Sequence, residues 1–228
     1  MSNWLGAAAL GASALQALLM GLIGYPIAVS RRRGLEKFHR SGFAWWLVTL
    51  ALLLAMALAT APTVLGARRP SSADISILSI AVIGVAGCVI ALAVEIVGNL
   101  IARRTSRPGR GSERYDEALP DWARLPYLEL LLLSTLAILE EMTYRCLGLG
   151  WLIHDLGIRG DVSVLIAALA FGIAHWYYGI RQIALKAILG MVFGAVALRS
   201  GWLAAALSHL LLNSSLIALN QRSRGQTR

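Results

Sequence analysis

The run Leu139-Glu140-Glu141-Met142-Thr143-Tyr144-Arg145 places two adjacent carboxylates and a guanidinium in a stretch otherwise built from Leu, Ala and Ile. On an α-helix, neighbouring residues point about 100° apart, whereas residues four apart share a face. Glu141 and Arg145 are therefore expected to pair. Glu140 points elsewhere with no cation of its own helix beside it, which suits it to accept a proton from water as a general base. The competing reading is that all three groups form a buried ionic knot that only ties helices together.

Two histidines and an asparagine complete the set. His175 ends the run Phe171-Gly172-Ile173-Ala174-His175-Trp176, and Ser208-His209-Leu210-Leu211-Leu212-Asn213 puts His209 and Asn213 four residues apart on one helical face. A lone histidine on an apolar helix is ordinarily a core residue, but two of them with a glutamate form a constellation able to move protons and donate hydrogen bonds. With Trp151 and Trp202 as outer-edge markers and a rise of about 1.5 Å per residue, Glu140, His209 and Asn213 fall roughly 10 to 17 Å below that edge. His175 lies beside the inner marker Trp176 and reaches the same layer only if its short helix is suitably placed.

The elements that must hold these residues are membrane helices. The chain is 57% hydrophobic and 14% charged, against about 25% charged residues in soluble domains. Apolar stretches near the roughly 20 residues that cross a hydrocarbon core occur at Leu5 to Val29, Phe43 to Gly66, Ile75 to Ile101, Leu125 to Ile153, Val162 to Tyr178, Ile183 to Leu198 and Trp202 to Leu219. The expected fold is an all-α polytopic bundle of about seven transmembrane helices with a four-helix catalytic core. The leader Met1-Ser2-Asn3 is uncharged and Arg31-Arg32-Arg33 follows the first span, so that span reads as an anchor and not a cleaved signal. Alternating from an outer N-terminus, the inner segments collect Arg31, Arg32, Arg33, Lys37, Arg40, Arg103, Arg104, Arg107, Arg110, Arg114, Arg124, Arg181, Lys186, Arg222, Arg224 and Arg228. Only Arg68, Arg69, Arg159 and Arg199 fall outside, so the positive-inside rule gives N-out and C-in. The seven Trp residues lie near span ends, as interfacial rings do.

This topology accounts for the net charge of +9 without nucleic acid, which is excluded as a partner. Cys88 and Cys146, both in apolar segments, suggest neither a disulfide framework nor a thiolate metal site. The chain divides into an N-terminal three-helix region (1–101), a basic inner loop (102–124), the polar-bearing core (125–219) and a tail (220–228). The three helices of the first region hold almost nothing ionisable except Glu95 near an end of its span. His39 and His154 read as solvated surface residues. Glu129, three turns before Glu140, either lines an entry path or sits near the headgroups.

The ordered set Glu140-Glu141-x-x-x-Arg145, Phe171-x-x-x-His175 and His209-x-x-x-Asn213 resembles the motifs of the CPBP family, the bacterial relatives of CAAX-processing endopeptidases. The resemblance runs from about Leu125 to Ser215 and includes the segments Leu189-Gly190-Met191-Val192-Phe193-Gly194 and Ser200-Gly201-Trp202-Leu203. Tyr144 stands where the family often has Phe, and Cys146 where it often has Gly. The likeness implies an intramembrane glutamic endopeptidase in which Glu140 activates a water that His175 helps to hold. His209 and Asn213 would supply the oxyanion hole, which suits two donors on one face, and Glu141 with Arg145 would orient the site. It implies a multi-pass protein of the bacterial cytoplasmic membrane that needs no cofactor and acts on a membrane-associated peptide or protein in the lipid bilayer. Three alternatives use the same residues. Glu140, His175 and His209 could ligate a catalytic zinc, although no HExxH is present. A proton-coupled transporter would use them as a relay, but no inverted repeat is visible. A scaffold or immunity protein would keep the fold without the reaction.

Overall fold

The computed structural model describes residues 76–105, 127–176 and 179–225. The first two expected spans, most of the basic loop, the Glu129 side chain, His39 and the arginines of the tail lie outside the described residues, as does the count of seven. Among the described residues every regular element is a helix. Helix α1 runs Ile77–Thr105 and α2 runs Tyr127–Glu141. Without a break, α2 continues as a π-helix over Met142–Leu149 and a second over Trp151–Asp155, joined through the helical Gly150. Then come α3 (Gly160–Ile173), α4 (Ile180–Ser200) and α5 (Trp202–Gly225). The expected spans over 75–101, 125–153, 162–178, 183–198 and 202–219 thus each have a helix, with ends shifted by a few residues. The span over 162–178 is the most shortened, its helix closing at Ile173.

Helices α1, α4 and α5, over Ile77–Ile101, Ile180–Ser200 and Trp202–Leu219, are long and apolar enough to cross a membrane, and α3 is a shorter apolar helix. Their surfaces are those of a membrane protein. On α1 the buried positions are Gly84, Gly87, Cys88, Ala91 and Glu95, a stripe of mostly small residues at spacings of three and four. The opposite face exposes Leu78, Val82, Val85, Val89, Ile96 and Leu100. Water would leave such a face uncovered at high cost. Lipid covers it, and then small residues let helices approach so that packing and hydrogen bonds hold them together.

The α2–π rod is enclosed by α3, α4 and α5, while α1 packs on α4 and α5. In the first π segment Tyr144, Arg145, Cys146, Leu147, Gly148 and Leu149 are all buried, so the rod has no outward face there. Where the wide turn begins, the Thr143 hydroxyl donates to the Leu139 carbonyl at 2.8 Å, taking up an acceptor of the preceding turn. Long π stretches are rare and concentrate at functional sites. This one follows immediately after Glu140 and Glu141.

Helices α4 and α5 are joined by one residue, Gly201, at φ 80° and ψ 166°. That conformation is essentially confined to glycine. A methyl group there would meet nothing within 4 Å, so its cost is purely conformational. Gly201→Ala is expected to lower stability by about 1–3 kcal/mol, read as a reduced midpoint of thermal unfolding in detergent.

Candidate active site

Two acidic residues at the end of the α-helical part of the rod face one histidine from α5. The His209 ring donates from Nδ1 to Glu141 Oε1 at 3.0 Å, and its Nε2 stands 4.0 Å from Glu140 Oε2. The other Glu141 oxygen, Oε2, lies 3.2 Å from Arg145 Nε, both side chains fully buried. The i, i+4 pair expected from the sequence is therefore present, and Glu141 additionally holds His209. The Arg145–Glu141 contact is one between charges, because no Arg145 nitrogen makes a hydrogen bond among the described residues. Its guanidinium instead lies over the Phe171 ring at 5.2 Å and near Tyr144 at 5.8 Å.

Glu140 differs from its neighbour in being 17% exposed. Its isolation from cations is less complete than its own helix suggests, since protonated His209 would place a positive charge 4.0 Å away. Lys186 is also within its electrostatic reach.

His175 follows the end of α3. Its Nδ1 is 2.8 Å from the Phe171 carbonyl, which can only accept, so Nδ1 carries the proton and Nε2 is the acceptor nitrogen of the neutral ring. Phe171 joins the two histidines, its ring meeting His175 edge-on at 4.8 Å and His209 at 6.1 Å. This brings His175 to the layer of His209, which helix lengths alone left open. Behind His209 lies Phe193 of α4, stacked at 4.9 Å and 20°. Asn213 is one turn beyond His209 on α5 and partly exposed.

Four positioning groups are not evident from residue type alone. Phe171 and Phe193, each 1% exposed, fix the histidine rings. Their only sequence signal is their place in the motif segments. Ser208, beside His209, shares its one hydroxyl proton between the Gly84 carbonyl of α1 at 2.8 Å and the Ala204 carbonyl of its own helix at 2.9 Å, setting the register of α5 against α1. Glu95 is not near a solvated end. It is buried, and its Oε2 lies 3.7 Å from Lys186 Nζ of α4. His154, by contrast, is exposed as expected.

Residues 122–215 match the family model Rce1-like, described as type II CAAX prenyl endopeptidase Rce1-like. The match covers less than half of the chain and begins after α1. No curated protein and no solved structure matches the chain. The matched segment contains every member of the polar set, from Glu140 to Asn213, and agrees with the resemblance carried by their motifs. The segment that builds this site is therefore similar to the Rce1-like family of type II CAAX prenyl endopeptidases.

Proposed function

We propose that the protein is an intramembrane endopeptidase that hydrolyses a peptide bond of a membrane-associated peptide or protein with a water activated by Glu140. The observation that carries this reading is the convergence of Glu140 and Glu141 on one histidine of α5, with only Glu140 reachable from outside. A water between Glu140 and His175 gives one proton to the carboxylate while its second proton is held by His175 Nε2. The resulting hydroxide attacks the substrate carbonyl. Negative charge then builds on the carbonyl oxygen, where donors aimed from His209 Nε2 and the Asn213 amide would stabilise it. For His209 to donate there while Nδ1 donates to Glu141, the ring carries both protons, and the Glu141 carboxylate is the counter-charge. Glu140 finally passes its proton to the leaving amine.

In this reading no metal takes part. The acceptors at the two Nδ1 atoms, the Glu141 carboxylate and the Phe171 carbonyl, orient the two rings. The domain division at 101, 124 and 219, the N-out and C-in orientation and residence in a bacterial cytoplasmic membrane belong to the same proposal, supported by the basic inner segments.

The test is cleavage of a panel of membrane-anchored and amphipathic peptides by the purified protein in lipid nanodiscs. Cleavage is expected to persist under a strong chelator, and Asn213→Ala is expected to lower kcat about 10²-fold or more with little change in KM. Chelator inhibition reversed by added zinc would replace the glutamate mechanism with a metal one. Absence of cleavage across the panel, with folding confirmed, would favour the transporter or scaffold alternatives.

A further inference from the structure

Lys186 is a cation inside an apolar helix that the mechanism above does not use. Among the described residues it and Arg145 are the cations enclosed between helices, and Arg145 is fully buried against Glu141. An ammonium within a membrane costs at least about 2.5 kcal/mol and marks a functional position unless a partner fully accounts for it. Glu95 accounts for it only in part. The separation of 3.7 Å is beyond hydrogen-bond length, and Glu95 Oε2 has no hydrogen bond among the described residues. The two ends of the pair also differ in access, since Lys186 is 22% exposed and Glu95 5%.

The level of Lys186 is fixed by its neighbours on both sides. On α1, a methyl group on Gly98 would lie 2.7 Å from Leu185, so α1 is pressed against α4 at the rung of the ion pair. On α3, a methyl group on Gly172 would lie 2.5 Å from the Ile183 carbonyl and 2.8 Å from Ala187. Gly172 is three residues before His175, so α3 closes on α4 at the rung of Lys186, about one turn from His175. Glu140 and His175 both lie within its electrostatic reach. A substrate entering here meets the Glu140 carboxylate, while Arg145 is fully buried against Glu141, so the partly exposed cation that an anionic substrate group can reach is Lys186.

We propose that Lys186, held by Glu95, forms a carboxylate-binding subsite beside the reacting centre and selects substrates with an anionic group near the scissile bond. This rests on the hydrolase reading for its purpose but not for its measurement. The carboxylate is either a free chain terminus or an acidic side chain.

The experiment uses the full chain in nanodiscs of zwitterionic lipid and one labelled, membrane-anchored peptide in three forms. One has a free terminal carboxylate, one a terminal amide, and one a terminal amide with an internal glutamate. Binding is read by fluorescence anisotropy, independently of cleavage. At least one anionic form is expected to bind about tenfold more tightly than the neutral amide, and which one does so identifies the source of the carboxylate. That preference should survive in Lys186→Arg and vanish in Glu95→Gln/Lys186→Met, a double variant that strands no charge and so keeps the fold. Equal binding of all three forms by the unaltered protein, or an unchanged preference in the folded double variant, overturns the subsite. A preference seen without cleavage supports the subsite and removes the hydrolase. Cleavage of all forms without preference does the reverse.

Discussion

Glu140→Gln is expected to lower kcat by about 10²- to 10⁴-fold while leaving the protein folded, because it removes a proton acceptor without changing the shape of the side chain. The fold should tolerate the change. Glu140 is partly exposed, and its nearest ionic contact is the 4.0 Å approach to His209, too long for a hydrogen bond. A neutral amide in its place leaves no opposite charge stranded at short range. The reaction does not tolerate it, since an amide cannot take the proton that water must lose on attack. The measurement is single-turnover cleavage in nanodiscs, which isolates the chemical step, together with thermal unfolding of the same sample. An unchanged unfolding midpoint with a rate loss in this range fits a general base. A variant that is folded and fully active would mean that the proton goes elsewhere, with His175 the next candidate because its Nε2 is the acceptor nitrogen of the ring.

The parts of this fold that were legible in the sequence are those that depend on composition and spacing. Helices over the apolar runs follow from the cost of exposing backbone to lipid. The Glu141–Arg145 pair follows from i, i+4 spacing, and it survives although the helix widens between the two residues. What α-helical spacing could not give was the π-helical continuation of α2. A wider turn packs more residues into each turn and rises less per residue, so the depth of Glu140 reckoned from Trp151 at the α-helical rise is too large. Nothing in Met142-Thr143-Tyr144-Arg145 marks that change except Thr143, whose hydroxyl bonds back to Leu139.

The tertiary partners of charged residues were the other gap. Glu141 is shared between a neighbour four residues away and a histidine 68 positions later, and only the first is visible in one helix. Glu95 and Lys186, 91 positions apart, read separately as a residue near a span end and a residue of an inner segment, yet they face each other. Through this pair and the Ser208–Gly84 hydrogen bond, α1 fixes α4 and α5, although it lies outside the matched segment.

The second large effect is expected at Glu141 and Arg145, and it separates the energetic role of the pair from its role in the reaction. Both side chains are fully buried, and among the described residues Arg145 has no hydrogen bond to soften the loss of its counter-ion. Arg145→Met strands the Glu141 carboxylate beside His209, and Glu141→Leu strands the guanidinium over Phe171. Each single change should cost about 3–5 kcal/mol. The double variant Glu141→Leu/Arg145→Met strands neither charge and should recover most of that loss, because apolar side chains of similar volume often replace a buried pair at little cost. Equilibrium unfolding in mixed micelles measures the coupling as a double-mutant cycle. Activity should not follow stability. In that double variant the His209 ring loses the acceptor at its Nδ1, so its Nε2 is no longer held toward the substrate and kcat stays low. Glu141→Gln/Arg145→Met keeps an oxygen where Glu141 Oε1 stood and should regain part of the rate, but without the anion that balances a doubly protonated ring. If single and double variants are equally destabilised, the two charges are not coupled, and the orienting of His209 rests on Glu141 without help from Arg145.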